Sequence, residues 1–129
     1  MNEADNLFVN TETVTINASG FDFQLKPVTG GDELDWIDDY TELKEEQDAS
    51  GQKIIVARNN LSKLSLCKLR NIVGVPFSED KLKELGFNKP FDKFDNSEKD
   101  AMFVKLPGTL LTVLIKEIDA LKRSVKKKD

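Results

Sequence analysis

The feature that most constrains this chain is a change of hydrophobic period near Thr29. Before it, polar and apolar residues alternate in Thr13-Val14-Thr15-Ile16-Asn17. They alternate again in Phe21-Asp22-Phe23-Gln24-Leu25-Lys26, with Ala18-Ser19-Gly20 between the two runs. A period of two places Phe21, Phe23 and Leu25 on one face of a strand. Two such runs joined by a short glycine-containing loop predict a β-hairpin over residues 12–28. Gly20 supplies the positive φ that such a loop needs. Pro27 cannot donate to a ladder and ends the second strand.

After Thr29 the apolar spacing becomes helical. Thr29 as N-cap and Asp32 in the first turn open a helix expected over residues 30–46. Leu34, Ile37 and Thr41 form one stripe of it, and Trp36, Tyr40 and Leu43 form the next. Asp48-Ala49-Ser50-Gly51 then reads as a linker between helices. A second long helix is expected over residues 54–73, apolar from Leu61 onward, with Gly74 just past its end and Pro76 as a stop. Ser78 and Gly86 bracket a short helix. Phe87, Phe91 and Phe94 mark a loop anchored in the core. Asn96 or Ser97 caps a helix to about residue 105. Thr109 opens the last helix, where Leu111, Leu114, Ile118, Leu121 and Val125 recur at helical spacing and Leu110, Ile115 and Ala120 broaden the stripe. The expected fold is one α+β domain, mostly helical, with an N-terminal β-hairpin followed by four or five helices. Residues 1–11 would be a frayed start, 29–125 the helical part and 126–129 a basic tail.

A chain of 129 residues can bury a core without covalent staples. It holds no run of about twenty apolar residues, so no membrane span is expected. Its N-terminus, acidic and polar, lacks the pattern of a secretory signal. Cys67 is the one cysteine. These features point to a cytoplasmic protein. Residues 1–50 hold thirteen acids against Lys26 and Lys44, whereas seventeen of the nineteen bases fall in residues 51–129. The simplest consequence is attraction between the two halves of the fold.

The residues offer little for catalysis. There is no histidine, which removes the commonest general base and transition-metal ligand. No enzyme, cofactor or metal is expected. Gly30-Gly31 precedes a helix but belongs to no phosphate-binding motif. Asp35, Asp38, Asp39 and Glu42 share helical spacing, which usually means a solvated acidic face. Cys67 reads as a small buried hydrophobe, and Trp36 and Tyr40 as core residues packing against Phe21 and Phe23. Five bases within residues 122–128 invite a nucleic-acid reading, but no aromatics are interleaved with them, so nucleic-acid binding is not the main expectation.

One ordered pattern remains. Ile16 is followed by Gly20-Phe21-x-Phe23-x-Leu25-Lys26-Pro27-Val28-Thr29 and a helix opening Gly31-Asp32-Glu33. Downstream come Leu64-x-x-Cys67-Lys68-Leu69-Arg70-Asn71, then Val73-x-Val75-Pro76, then Leu106-Pro107-x-x-Leu110-x-x-x-Leu114-Ile115. This order, over about residues 12–122, resembles the tail assembly chaperones of tailed phages and related prophage elements. The resemblance implies a protein that binds the long helical tape-measure protein, keeps it soluble and helps recruit tail tube subunits. It would act in the host-cell cytoplasm, with self-association possible in principle and no catalytic residues to carry over. The basic C-terminus has no counterpart in that pattern. Two other readings stand beside it: a small nucleic-acid-associated regulator and a structural head–tail component of a virion. A client helix would need an apolar face to dock on. The last helix offers one in Leu110, Leu111, Leu114, Ile115, Ile118 and Leu121.

Overall fold

The computed structural model describes residues 12–122. The expectations for the start (1–11) and the basic tail (126–129), and for Val125, lie outside the described residues. Strands β1 (Val14–Ala18) and β2 (Phe21–Leu25) pair antiparallel, with Ile16 opposite Phe23. Ser19 and Gly20 close the hairpin with φ of 54° and 88°. Positive φ at both central residues is the turn whose twist matches a hairpin. One face of the pair buries Ile16, Ala18, Phe23 and Leu25, while Phe21 stays exposed beside the turn.

Helix α1 (Gly30–Tyr40) opens with a reciprocal capping box, in which the Thr29 hydroxyl accepts from the Asp32 N–H and the Asp32 carboxylate accepts from the Thr29 N–H. It does not continue to residue 46. The chain turns extended at Thr41, whose N–H caps the helix on the Ile37 carbonyl. Strands β3 (Thr41–Gln47) and β4 (Lys53–Asn59) follow as an antiparallel pair in their own two-stranded sheet. Asp48 builds the turn: its Oδ1 accepts from the N–H groups of Ser50 and Gln52 and from the Ser50 hydroxyl, and Gly51 takes φ +84°.

Helix α2 is correspondingly shorter, Leu61–Leu69, and is capped by Asn60. The segment after it forms strand β5 (Ile72–Gly74), which adds to β2 to give the order β1-β2-β5. Gly74 is therefore a strand residue and not a helix terminus. A Cβ there would collide with the Gln24 side chain across the ladder. The expected arrangement of one hairpin followed only by helices is thus overturned. The fold is α+β, but its strands and helices are interleaved and a second hairpin replaces parts of two expected helices.

Helices α3 (Glu79–Glu84), α4 (Asn96–Phe103) and α5 (Gly108–Lys122) lie close to their expected places. Ser78 caps α3 as expected, but Asp95 and not Asn96 or Ser97 caps α4, again in a capping box, with Glu98. Phe91 and Phe94 are buried, and Phe87 packs on the same core. Helix α2 packs on α1, α4 and α5, and α5 reaches β1. The core between them holds Phe23, Leu25, Cys67, Leu69, Ile72, Leu82, Met102, Phe103, Leu114 and Ile118. Each fully buried large side chain contributes about 1.5–3 kcal/mol relative to exposure. The charge asymmetry is used in the fold: Glu42, Glu45, Glu46 and Asp39 pair with Lys63, Lys53, Arg58 and Arg70 from the basic half.

Candidate protein-binding surfaces

The six residues expected to face a partner on the last helix are not presented together. Leu114 and Ile118 are 0% exposed and belong to the core. Leu110, Leu111, Ile115 and Leu121 are half-buried and pack against it. The wide stripe on α5 is wide because the helix is covered on several sides, by α2 and by β1. Its Asp119 is held by Lys68 of α2 at 3.0 Å.

Exposed apolar side chains occur elsewhere. On α1, Leu34 is 67% and Ile37 44% exposed, although the helix buries Trp36. With Trp36, Tyr40, Leu64 and the stem of Lys68 they line a shallow groove between α1 and α2, of about 530 Å³. Leu61, also exposed, stands at i−3 from Leu64 and so extends the α2 side of it. The sequence had marked Leu34 and Ile37 as an apolar stripe, but periodicity does not say whether a stripe is covered.

The second exposed region is the β3–β4 arm. Leu43 and Ile55 are 74% and 75% exposed, and Ile54 is exposed as well. The register puts Leu43 opposite Ala57 and Glu45 opposite Ile55 on one face, with Lys44 opposite Val56 and Glu46 opposite Ile54 on the other. At the base the Asn60 N–H donates to the Tyr40 carbonyl (2.8 Å), and at the tip the Asp48 N–H donates to the Gln52 carbonyl (2.9 Å). These bonds set the phase of the ladder, because hydrogen-bonded and non-bonded pairs alternate along an antiparallel pair. The even-numbered pairs, such as Lys44 with Val56, exchange the ladder bonds. The N–H and C=O groups of Leu43 and Glu45, and of Ile55 and Ala57, therefore point away from the arm. Sequence reasoning missed this element. Its signal was the β-branched run Ile54-Ile55-Val56, which begins three residues after Gly51 of the Asp48–Gly51 turn.

A polar cleft lies where α1, α4 and the start of β5 meet. Arg70 donates to Asp100 on α4 (2.8 Å) and to Asp39 on α1, and these carboxylates hold its guanidinium even more firmly charged than usual. Asn71, the one buried polar residue among those described, donates to the Lys26 carbonyl and to Asp32. Lys99 donates to the carbonyls of Arg70 and Ile72, both at 2.9 Å; burial, with the nearby Lys26 charge, pushes its pKa down. Among the described residues no buried side-chain polar atom lacks a partner. The cleft fastens three elements together rather than holding donors open for a ligand. The acidic set from the sequence is divided: Asp39 binds Arg70, and Glu42 lies on β3, bonded to Asn60 and Lys63. Cys67 is buried, and burial raises its thiol pKa, which disfavours the reactive thiolate. No helix among the described residues is long and apolar enough to cross a membrane.

Comparison with known proteins finds no match, whether to a family model, to a curated protein or to a solved structure.

Proposed function

We propose that this chain is a non-catalytic protein-binding module that receives an apolar helix of its client in the groove between α1 and α2. In this reading it serves as a tail assembly chaperone for a tape-measure protein. The observation that carries it is the outward placement of Leu34 and Ile37 beside Leu64, Trp36 and Tyr40. A groove of this kind suits an amphipathic helix presenting side chains at i, i+3, i+4 and i+7. Glu33 of α1 and Lys68 of α2 frame it, so encounter would be guided by charge while affinity came from the apolar contacts. The choice of client rests on the sequence resemblance alone.

The test is co-expression with the tape-measure protein of the same genome. The wild-type chain is expected to keep that protein soluble. The double variant Leu34→Lys/Ile37→Lys is expected to leave it insoluble while retaining the wild-type circular dichroism, because both positions face solvent. A soluble client with the double variant would reject the groove. An insoluble client with the wild type would reject the chaperone role.

A further inference from the structure

We propose that the β4 edge of the arm is a self-association surface, on which a second copy of this chain pairs through its own β4 to form a four-stranded antiparallel sheet, β3-β4-β4-β3. The inference concerns a surface separate from the α1–α2 groove and does not depend on the client.

A two-stranded hairpin is marginal on its own in water. This one is fourteen strand residues long and shows both faces to solvent over most of its length. Its two edges differ. Along β3 charged side chains interrupt the strand at Glu42, Lys44, Glu45 and Glu46, the usual protection of an edge. Along β4 the run Ile54-Ile55-Val56-Ala57 has no charge, proline or glycine, and its pairing with β3 keeps one register throughout, so that no bulge turns the edge away. The outward N–H and C=O groups of β4 belong to Ile55 and Ala57 and, at the ends, to Lys53 and Asn59.

A second copy fits that edge in one register especially well. Centring the two-fold axis on Ile55 lets Ile55 exchange both backbone bonds with Ile55 of the other copy. Ile54 then lies opposite Val56, and Lys53 opposite Ala57. No two cations face each other, and Lys53 and Arg58 are already paired with Glu45 and Glu46 of their own hairpin. A two-fold axis normal to the sheet keeps faces in common, so Ile55 of the two copies meet at the centre of one face, flanked by Ala57 and Leu43 of each copy and by the Lys53–Glu45 ion pairs. Because the contact is isologous and the outer β3 edges are charged, assembly closes at two copies instead of growing into a fibre.

The experiment is sedimentation velocity across a concentration series, on the wild type and on Ile55→Pro. Proline removes an N–H that the arm itself does not use, so the hairpin ladder survives while the bond between copies is lost. The wild type is expected to double its mass with rising concentration and Ile55→Pro to stay at the monomer mass. As a measurement that does not depend on that variant folding, Ile55→Cys is expected to form a disulfide between copies under mild oxidation. Directly opposed residues of a hydrogen-bonded pair lie about 5.5 Å apart at Cα, within disulfide reach, and Cys67 is buried. A wild type that stays monomeric at all concentrations would overturn the proposal, including the case in which the edge pairs only with a foreign strand. An Ile55→Pro protein that still dimerises, or Ile55→Cys copies that do not cross-link, would also overturn it.

Discussion

Matched truncations of two leucines separate a covered helix stripe from an open one. Leu114 on α5 is 0% exposed, between α2 and the first sheet, and Leu34 on α1 is 67% exposed. Leu114→Ala removes buried methyl groups and leaves a cavity, a change that costs about 2.7–5 kcal/mol in well-packed cores. Leu34 buries only about a third of its side chain, so Leu34→Ala should cost about 0.5–1 kcal/mol, a third of the full burial value. Alanine's higher helix propensity does not distinguish the two sites, since both are helical. Urea unfolding followed by circular dichroism reads both costs. With a slope of about 2 kcal/mol per molar urea, the Leu114 variant should lose about 1.5–2.5 M in midpoint and the Leu34 variant under about 0.5 M, with slopes unchanged. Equal shifts in the two variants would refute the assignment of α5 to the core and of α1 to the open surface. A Leu114→Ala protein as stable as wild type would refute it more directly.

Two further outcomes follow from the polar cleft. Arg70→Met strips the partner from Asp100, whose side chain is only 24% exposed, and should cost about 1–3 kcal/mol by leaving a half-buried carboxylate unpaired. Asp39→Asn, at an exposed position, should cost less, and a urea series showing the reverse order would sink this account of the cleft. For Asp32, burial opposes ionisation, but the Thr29 N–H, the Asn71 amide, the Thr29 hydroxyl and the Lys26 charge outweigh it and hold the pKa below its ordinary 3.8. A depressed folded pKa stabilises the fold above the unfolded value, and that contribution disappears as pH falls through the folded one. Stability measured between pH 5 and pH 2 should therefore drop less in Asp32→Asn than in wild type, and identical drops would count against the capping role of Asp32.

Much of the local structure was written in the residues themselves. The alternation around Ser19-Gly20 specifies the first hairpin and its turn, because a period of two on both sides leaves only one face to bury. Thr29 and Ser78 announce their helices, since a side-chain oxygen satisfies N–H groups that nothing else in the first turn can. The apolar spacing of Leu114 and Ile118 identifies α5. Segment 41–59 was decided by the tertiary structure. Thr41–Gln47 is rich in helix formers, and its propensity favours continuing α1, but helix propensities differ by only tenths of a kcal/mol per residue. The ladder with Lys53–Asn59, three ion pairs from its acids and the Asp48 turn outweigh that preference together, and none is visible in a window of seven residues. Ile72–Gly74 likewise became a strand because β2 had an open edge beside it, a fact about space and not about spacing. The binding surface was illegible for the same reason: an apolar stripe records that a face wants cover, and only the packing of the other elements decides that α5 receives it while α1 and the arm do not.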